Sequence, residues 1–135
     1  MRLQIHIAYE PKFLGLADSA PLVRNAIQKQ TTTFAEVVGP ELAAEWGSDA
    51  QGAVDAEVPN LLTISLDDAS GAYRGAGHRH DQDQHLVVEP DFASPGLTAG
   101  PLHPGQWALT LSTHTVAAQC DVSIQIGAEI ASTPP

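Results

Sequence analysis

From Leu61 to Ile126 the chain repeats one device, short runs with an apolar residue at every second position, separated by turns rich in glycine and proline. Leu62, Ile64 and Leu66 alternate with Thr63 and Ser65, and Leu86 and Val88 follow. Trp107, Leu109 and Leu111 alternate with Ala108, Thr110 and Ser112, and Cys120, Val122, Ile124 and Ile126 alternate with Asp121, Ser123 and Gln125. Period two is the spacing of a strand buried on one face, because successive side chains point to opposite sides of a sheet. Ser70-Gly71, Ser94-Pro95-Gly96, Ala99-Gly100-Pro101 and His103-Pro104-Gly105 supply the backbone freedom and fixed φ of tight turns. The expected fold class is all-β, an antiparallel, jelly-roll-like β-sandwich.

The first half opens the same way. Leu3, Ile5, Ile7 and Tyr9 share one face, Arg2, Gln4, His6 and Ala8 the other, and Glu10-Pro11 ends the strand. A helical segment is inserted near residues 19–47. Asp18-Ser19-Ala20-Pro21 carries the cap and early proline of a helix start. That helix is expected to reach about Gln30, where the β-branched Thr31, Thr32 and Thr33 disfavour its continuation. Pro40 to Trp46 forms a second, short helix closed by Gly47, and Ser48 to Asn60 reads as an exposed loop. Residues 1–131 thus read as one domain with a helical insert, and 132–135 as a disordered tail.

Sixteen Asp and Glu against six Lys and Arg give a formal charge of −10 over 135 residues. Such a surface repels phosphate backbones and anionic headgroups, which argues against nucleic acid and membranes as partners. No run approaches the roughly 20 apolar residues that span a bilayer. Cys120 has no second cysteine to pair with, and its phase with Val122 and Ile124 places it in the core. Met1-Arg2 leads straight into alternating residues with no apolar leader, so a cytoplasmic protein is expected. Leu22, Val23, Ile27, Phe34 and Trp46 of the insert would cover a sheet face or meet a second copy or another protein.

The turns also carry a likeness. Asp68-Ala69-Ser70-Gly71-Ala72-Tyr73-Arg74-Gly75, then Arg79, Ala93-Ser94-Pro95-Gly96 and Gly100-Pro101-Leu102-His103-Pro104-Gly105-Gln106-Trp107 follow one another in order. This set resembles the β-sandwich domain that precedes the catalytic PHP (polymerase and histidinol phosphatase) domain in bacterial metallohydrolases of the carbaryl-hydrolase kind. Residues 12–60 have no counterpart in it. The resemblance covers about the second half of the chain and implies a non-catalytic accessory role. Thr113-His114-Thr115-Val116 falls where such a hydrolase domain would open, but Thr110 and Ser112 stand in place of its metal-binding Asp and His.

Candidate chemistry concentrates between Leu66 and Val88. His78 and His80 point to one side of an extended chain, and a turn can bring Asp83 or His85 back to complete the three protein ligands of an open zinc or iron site. A divalent metal such as zinc is the cofactor this set would hold, which makes a small cupin-like metalloenzyme the alternative function; a solvated loop is the plainer use of the same residues. Arg74 and Arg79 among glycines suit a carboxylate or phosphate ligand, although Asp67, Asp68, Asp81 and Asp83 offer internal partners. A groove binding a small sugar or acid, with His6 and His114 on polar strand faces, is a third reading. No serine sits in a G-x-S-x-G elbow, and no pair of acids is placed for acid–base catalysis.

Overall fold

Residues 1–130 are described by a computed structural model, and the tail expected at 132–135 lies outside them. The elements, in order, are β1 (Arg2–Glu10), β2 (Phe13–Leu14), α1 (Leu16–Val38), α2 (Pro40–Ala50), a 3-10 helix (Gln51–Asp55), β3 (Val58–Pro59), β4 (Leu61–Asp67), β5 (Tyr73–Ala76), β6 (Asp83–Val88), β7 (Ala108–Thr115) and β8 (Asp121–Glu129). Helix takes 30% and strand 38%, so the chain is mixed α/β, and the all-β sandwich expected from strand periodicity is corrected. The helical segment runs from Leu16 to Asp55, beyond the expected insert at both ends. No helix is long and apolar enough to cross a membrane among the described residues.

The chain divides into two compact units, one of Met1–Lys12 with the residues from Asn60 onward, the other Phe13–Pro59. The first holds two three-stranded antiparallel sheets, ordered β6-β1-β8 and β5-β4-β7. Their alternate apolar residues meet: Ile5 and Ile7 of β1, Ile64 and Leu66 of β4, and Leu86 and Val88 of β6 form one buried cluster, with Trp107 and Leu109 packed against it. Burying each such side chain stabilises by about 1.5–3 kcal/mol, and the same alternation sends the intervening polar residues to the outer faces.

β8 lies at the edge of its sheet. Val122, Ile124 and Ile126 are in register with Tyr9, Ile7 and Ile5, yet remain 37%, 36% and 60% exposed. Cys120, expected in the core on the same phase, is only half-buried. That partial burial, with Asp121 beside it, pushes its thiol pKa up and keeps it protonated. Asn60 is fully buried, and each of its side-chain polar atoms has a partner: its Nδ2 donates to Pro11 O and its Oδ1 accepts from Ala117 N, while its backbone N–H donates to Lys12 O.

The second unit shows why the expected helix boundaries moved. Thr31, Thr32 and Thr33 do not end α1, because their hydroxyls donate to the carbonyls of Ile27, Gln28 and Lys29 at 2.8, 3.0 and 3.1 Å and so find partners inside the helix. Gly47 does not close α2 either. It lies within the helix at the crossing with α1, where a Cβ would stand 2.7 Å from Thr31 Oγ1. Ser19 is not a cap: the helix begins at Leu16, and the buried Ser19 hydroxyl donates to Leu14 O and accepts from Val58 N. The segment 48–60, expected as a loop, completes α2 and continues through the 3-10 helix into β3, which pairs with β2.

Candidate metal centre

The register of β1, β6 and β8 decides which polar groups meet on the outer face of their sheet. Ile5 and Ile7 point to the core, so His6 points outward; Gln84, Leu86 and Val88 are buried, so Asp83 and His85 point outward. His6 pairs directly with His85, and Ala8 with Asp83. Three metal-ligating side chains, two from β6 and one from the distant β1, thus share one patch, with one ligand atom from each within 4.8 Å of the others.

The Nε2 of His6 lies 2.8 Å from Asp83 Oδ1, and the Nε2 of His85 lies 3.6 Å from the same oxygen. The two imidazoles stack with centroids 4.0 Å apart and planes 10° from parallel, so both rings present Nε2 toward one carboxylate. Ligands bound to zinc at about 2.0–2.1 Å in a tetrahedron stand about 3.3 Å from one another, a spacing that the 2.8 and 3.6 Å contacts to Asp83 bracket, and the stacked rings have to turn out of parallel to aim both nitrogens at one ion. The side chains of Asp83 and His85 are well exposed, and that of His6 is partly so, which leaves them free to make those rotations.

The surroundings favour a cation. Ala8, between Asp83 on one side and Ser123 on the other, places only a methyl group beside the carboxylate, and Glu10 and Asp121 pair one step further along the same face. Two imidazoles and a carboxylate suit zinc, copper or nickel better than calcium or magnesium, which prefer all-oxygen shells. Three protein ligands leave a fourth position to water.

The expected set of His78, His80, Asp83 and His85 is divided. Asp83 and His85 join His6, whereas His78 and His80 lie in the turn between β5 and β6, their rings 5.3 Å apart. Spacing pairs 78 with 80 and relies on a turn to bring 83 or 85 back to them; instead β6 begins at Asp83 and carries Asp83 and His85 to the side of His6. Gln84 fixes the turn, its Nε2 donating to His78 O and Asp81 O while its Oε1 accepts from His78 N. His6 was legible as a polar strand residue, but only the pairing of β1 with β6 makes it a ligand.

The two arginines also part. Arg74 is 6% exposed, and all five guanidinium donors are spent inside the chain: Nε on Thr98 O, Nη1 on Asp68 and Pro101 O, and Nη2 on Thr98 O and Gly100 O. Its Cζ also lies over the Trp107 ring, 5.4 Å from the centroid. Arg79 is exposed, and only its Nε has a partner among the described residues, His80 Nε2 at 3.4 Å. Asp68 organises the turn before Arg74, accepting from the Ser70 hydroxyl and from the Ser70 and Ala72 amides, which hold its carboxyl down to about 2.

No protein-family model, curated protein or solved structure matches this chain. The likeness to the accessory domain of carbaryl-hydrolase-type enzymes therefore stands on the turn residues alone.

Proposed function

We propose that this chain is a divalent-metal-binding protein whose centre is His6, Asp83 and His85, with zinc the metal that its ligand set suits best. One observation carries the reading: two stacked imidazoles on paired strands converge on a single carboxylate oxygen. The acidic neighbours Glu10 and Asp121 raise the local cation concentration, as does the formal charge of −10. Exposure keeps the desolvation cost small and leaves the remaining coordination positions open to water or a ligand.

Metal content by mass spectrometry tests this on untagged protein purified without chelator. Near-stoichiometric metal is expected in the parent and in a His78→Ala/His80→Ala variant, and its loss in His6→Ala. Metal that survives His6→Ala, or disappears with His78 and His80, would overturn the assignment.

A further inference from the structure

The outer face of the β5-β4-β7 sheet carries a second, separate feature, an open groove of about 540 Å³ whose lining includes Ser65, Tyr73, His78, Arg79, Ser112 and His114. In a chain with sixteen carboxylates the lining contains none, though Asp81 stands 3.8 Å from His78 Nδ1 beyond it. Of the four Lys and Arg in this unit, Arg2 pairs with Glu89 and Arg74 with Asp68, and Lys12 donates to Tyr9 and Asn60. Arg79 has no carboxylate within 4.0 Å among the described residues, and its terminal nitrogens donate to no protein group. A guanidinium with an unused fork matches a carboxylate by two parallel hydrogen bonds.

The rest of the groove offers a different chemistry. Tyr73 is 64% exposed on the sheet face, so the electron-rich surface of its ring is open to the C–H side of a polyhydroxylated sugar ring. The hydroxyls of Ser65 and Ser112 and the imidazole of His114 make no side-chain hydrogen bond among the described residues, so each offers donor or acceptor capacity to a ligand. The backbone that carries these groups is held in place. Ser65 and Ser112 stand on paired strands, Thr63 Oγ1 fixes Gly77 O, Gln84 fixes the 78–81 turn, and the Tyr9 hydroxyl donates to Arg79 O.

We infer that this groove binds a small carboxylate-bearing sugar, a uronic acid, with its acid group on Arg79, its ring on Tyr73 and its hydroxyls on Ser65, Ser112 and His114. The inference does not rest on the metal centre, which lies on the other sheet.

The test is an NMR titration of the full-length, isotope-labelled chain carrying His6→Ala, so that a uronate cannot report through a bound metal. Glucuronate should give saturable shifts confined to Ser65 and its neighbours, residues 73–80 and the strand around Ser112 and His114, with glucose binding at least about tenfold more weakly, the scale of a charge-assisted hydrogen-bonded pair. Arg79→Met and Tyr73→Ala should each weaken glucuronate about tenfold or more; both side chains are exposed, and unchanged melting of the variants establishes that the fold is kept. Absence of saturable shifts, equal binding of glucose, or undiminished binding in either variant overturns the inference.

Discussion

His6 and His85 stand directly opposite each other on neighbouring strands, their rings stacked 4.0 Å apart and both Nε2 atoms turned to the same oxygen of Asp83. A metal bound there bridges β1 to β6 and must lower the free energy of the paired state alone, because the unfolded chain does not hold these residues together. Free zinc at 100 times its Kd is expected to stabilise the protein by about 2.7 kcal/mol. Calorimetric melts with and without zinc check this, and His85→Ala should lose the increment. An equal rise in parent and variant would mean that the metal acts elsewhere.

Asp68 links the 68–74 turn to acid stability. Its folded pKa of about 2 lies below the ordinary 3.8, first through the Ser70 hydroxyl, which outweighs the opposing desolvation, and then through the Ser70 and Ala72 amides and Arg74. The unfolded state therefore takes up the proton first. The stabilisation is complete above the unfolded value near 3.8 and is lost as pH falls toward 2. Urea midpoints of the parent should fall more steeply over that interval than those of Asp68→Asn, and parallel curves would remove the assigned role.

Two glycines in strands should respond oppositely to alanine. Gly75 has φ +110°, and a Cβ there would stand 2.0 Å from Gly96 O, a backbone atom that cannot rotate away. Gly127 has open space at the same position. Gly75→Ala is expected to cost about 3 kcal/mol or more, and Gly127→Ala to stay within about 0.5 kcal/mol of the parent. Equilibrium unfolding in urea distinguishes them.

Periodicity made β1, β4, β7 and β8 legible, since each alternates over six residues or more and a strand is the element that buries alternate positions. It failed where a hydrogen bond or a packing contact outweighed a residue's intrinsic preference. Thr31 to Thr33 have poor helix propensity taken singly, but each hydroxyl bonds within α1, and Thr31 also packs where Gly47 lets α2 approach. The centre was half legible for a similar reason. Asp83 and His85 are two apart and share a strand face, which spacing shows, whereas the third ligand comes from a strand near the opposite end of the chain and depends on sheet order. The same limit applies to the arginines, for composition places carboxylates near both, and only the fold shows that the carbonyls of Thr98, Gly100 and Pro101 enclose Arg74.

That enclosure yields the sharpest contrast between two residues of one type. Lysine at position 74 keeps the charge but replaces a planar fork of five donors with three donors on one nitrogen, which cannot reach Asp68, Thr98, Gly100 and Pro101 together. Carbonyls left without donors at a site 6% exposed cost about 1–3 kcal/mol each, so Arg74→Lys is expected to destabilise by about 3 kcal/mol. Arg79→Lys removes one long contact at the surface and should stay within about 0.5 kcal/mol. Paired urea unfolding curves decide the matter: similar losses at both positions would show that Arg74 contributes only its charge, and a larger loss at 79 would relocate the buried network to the turn.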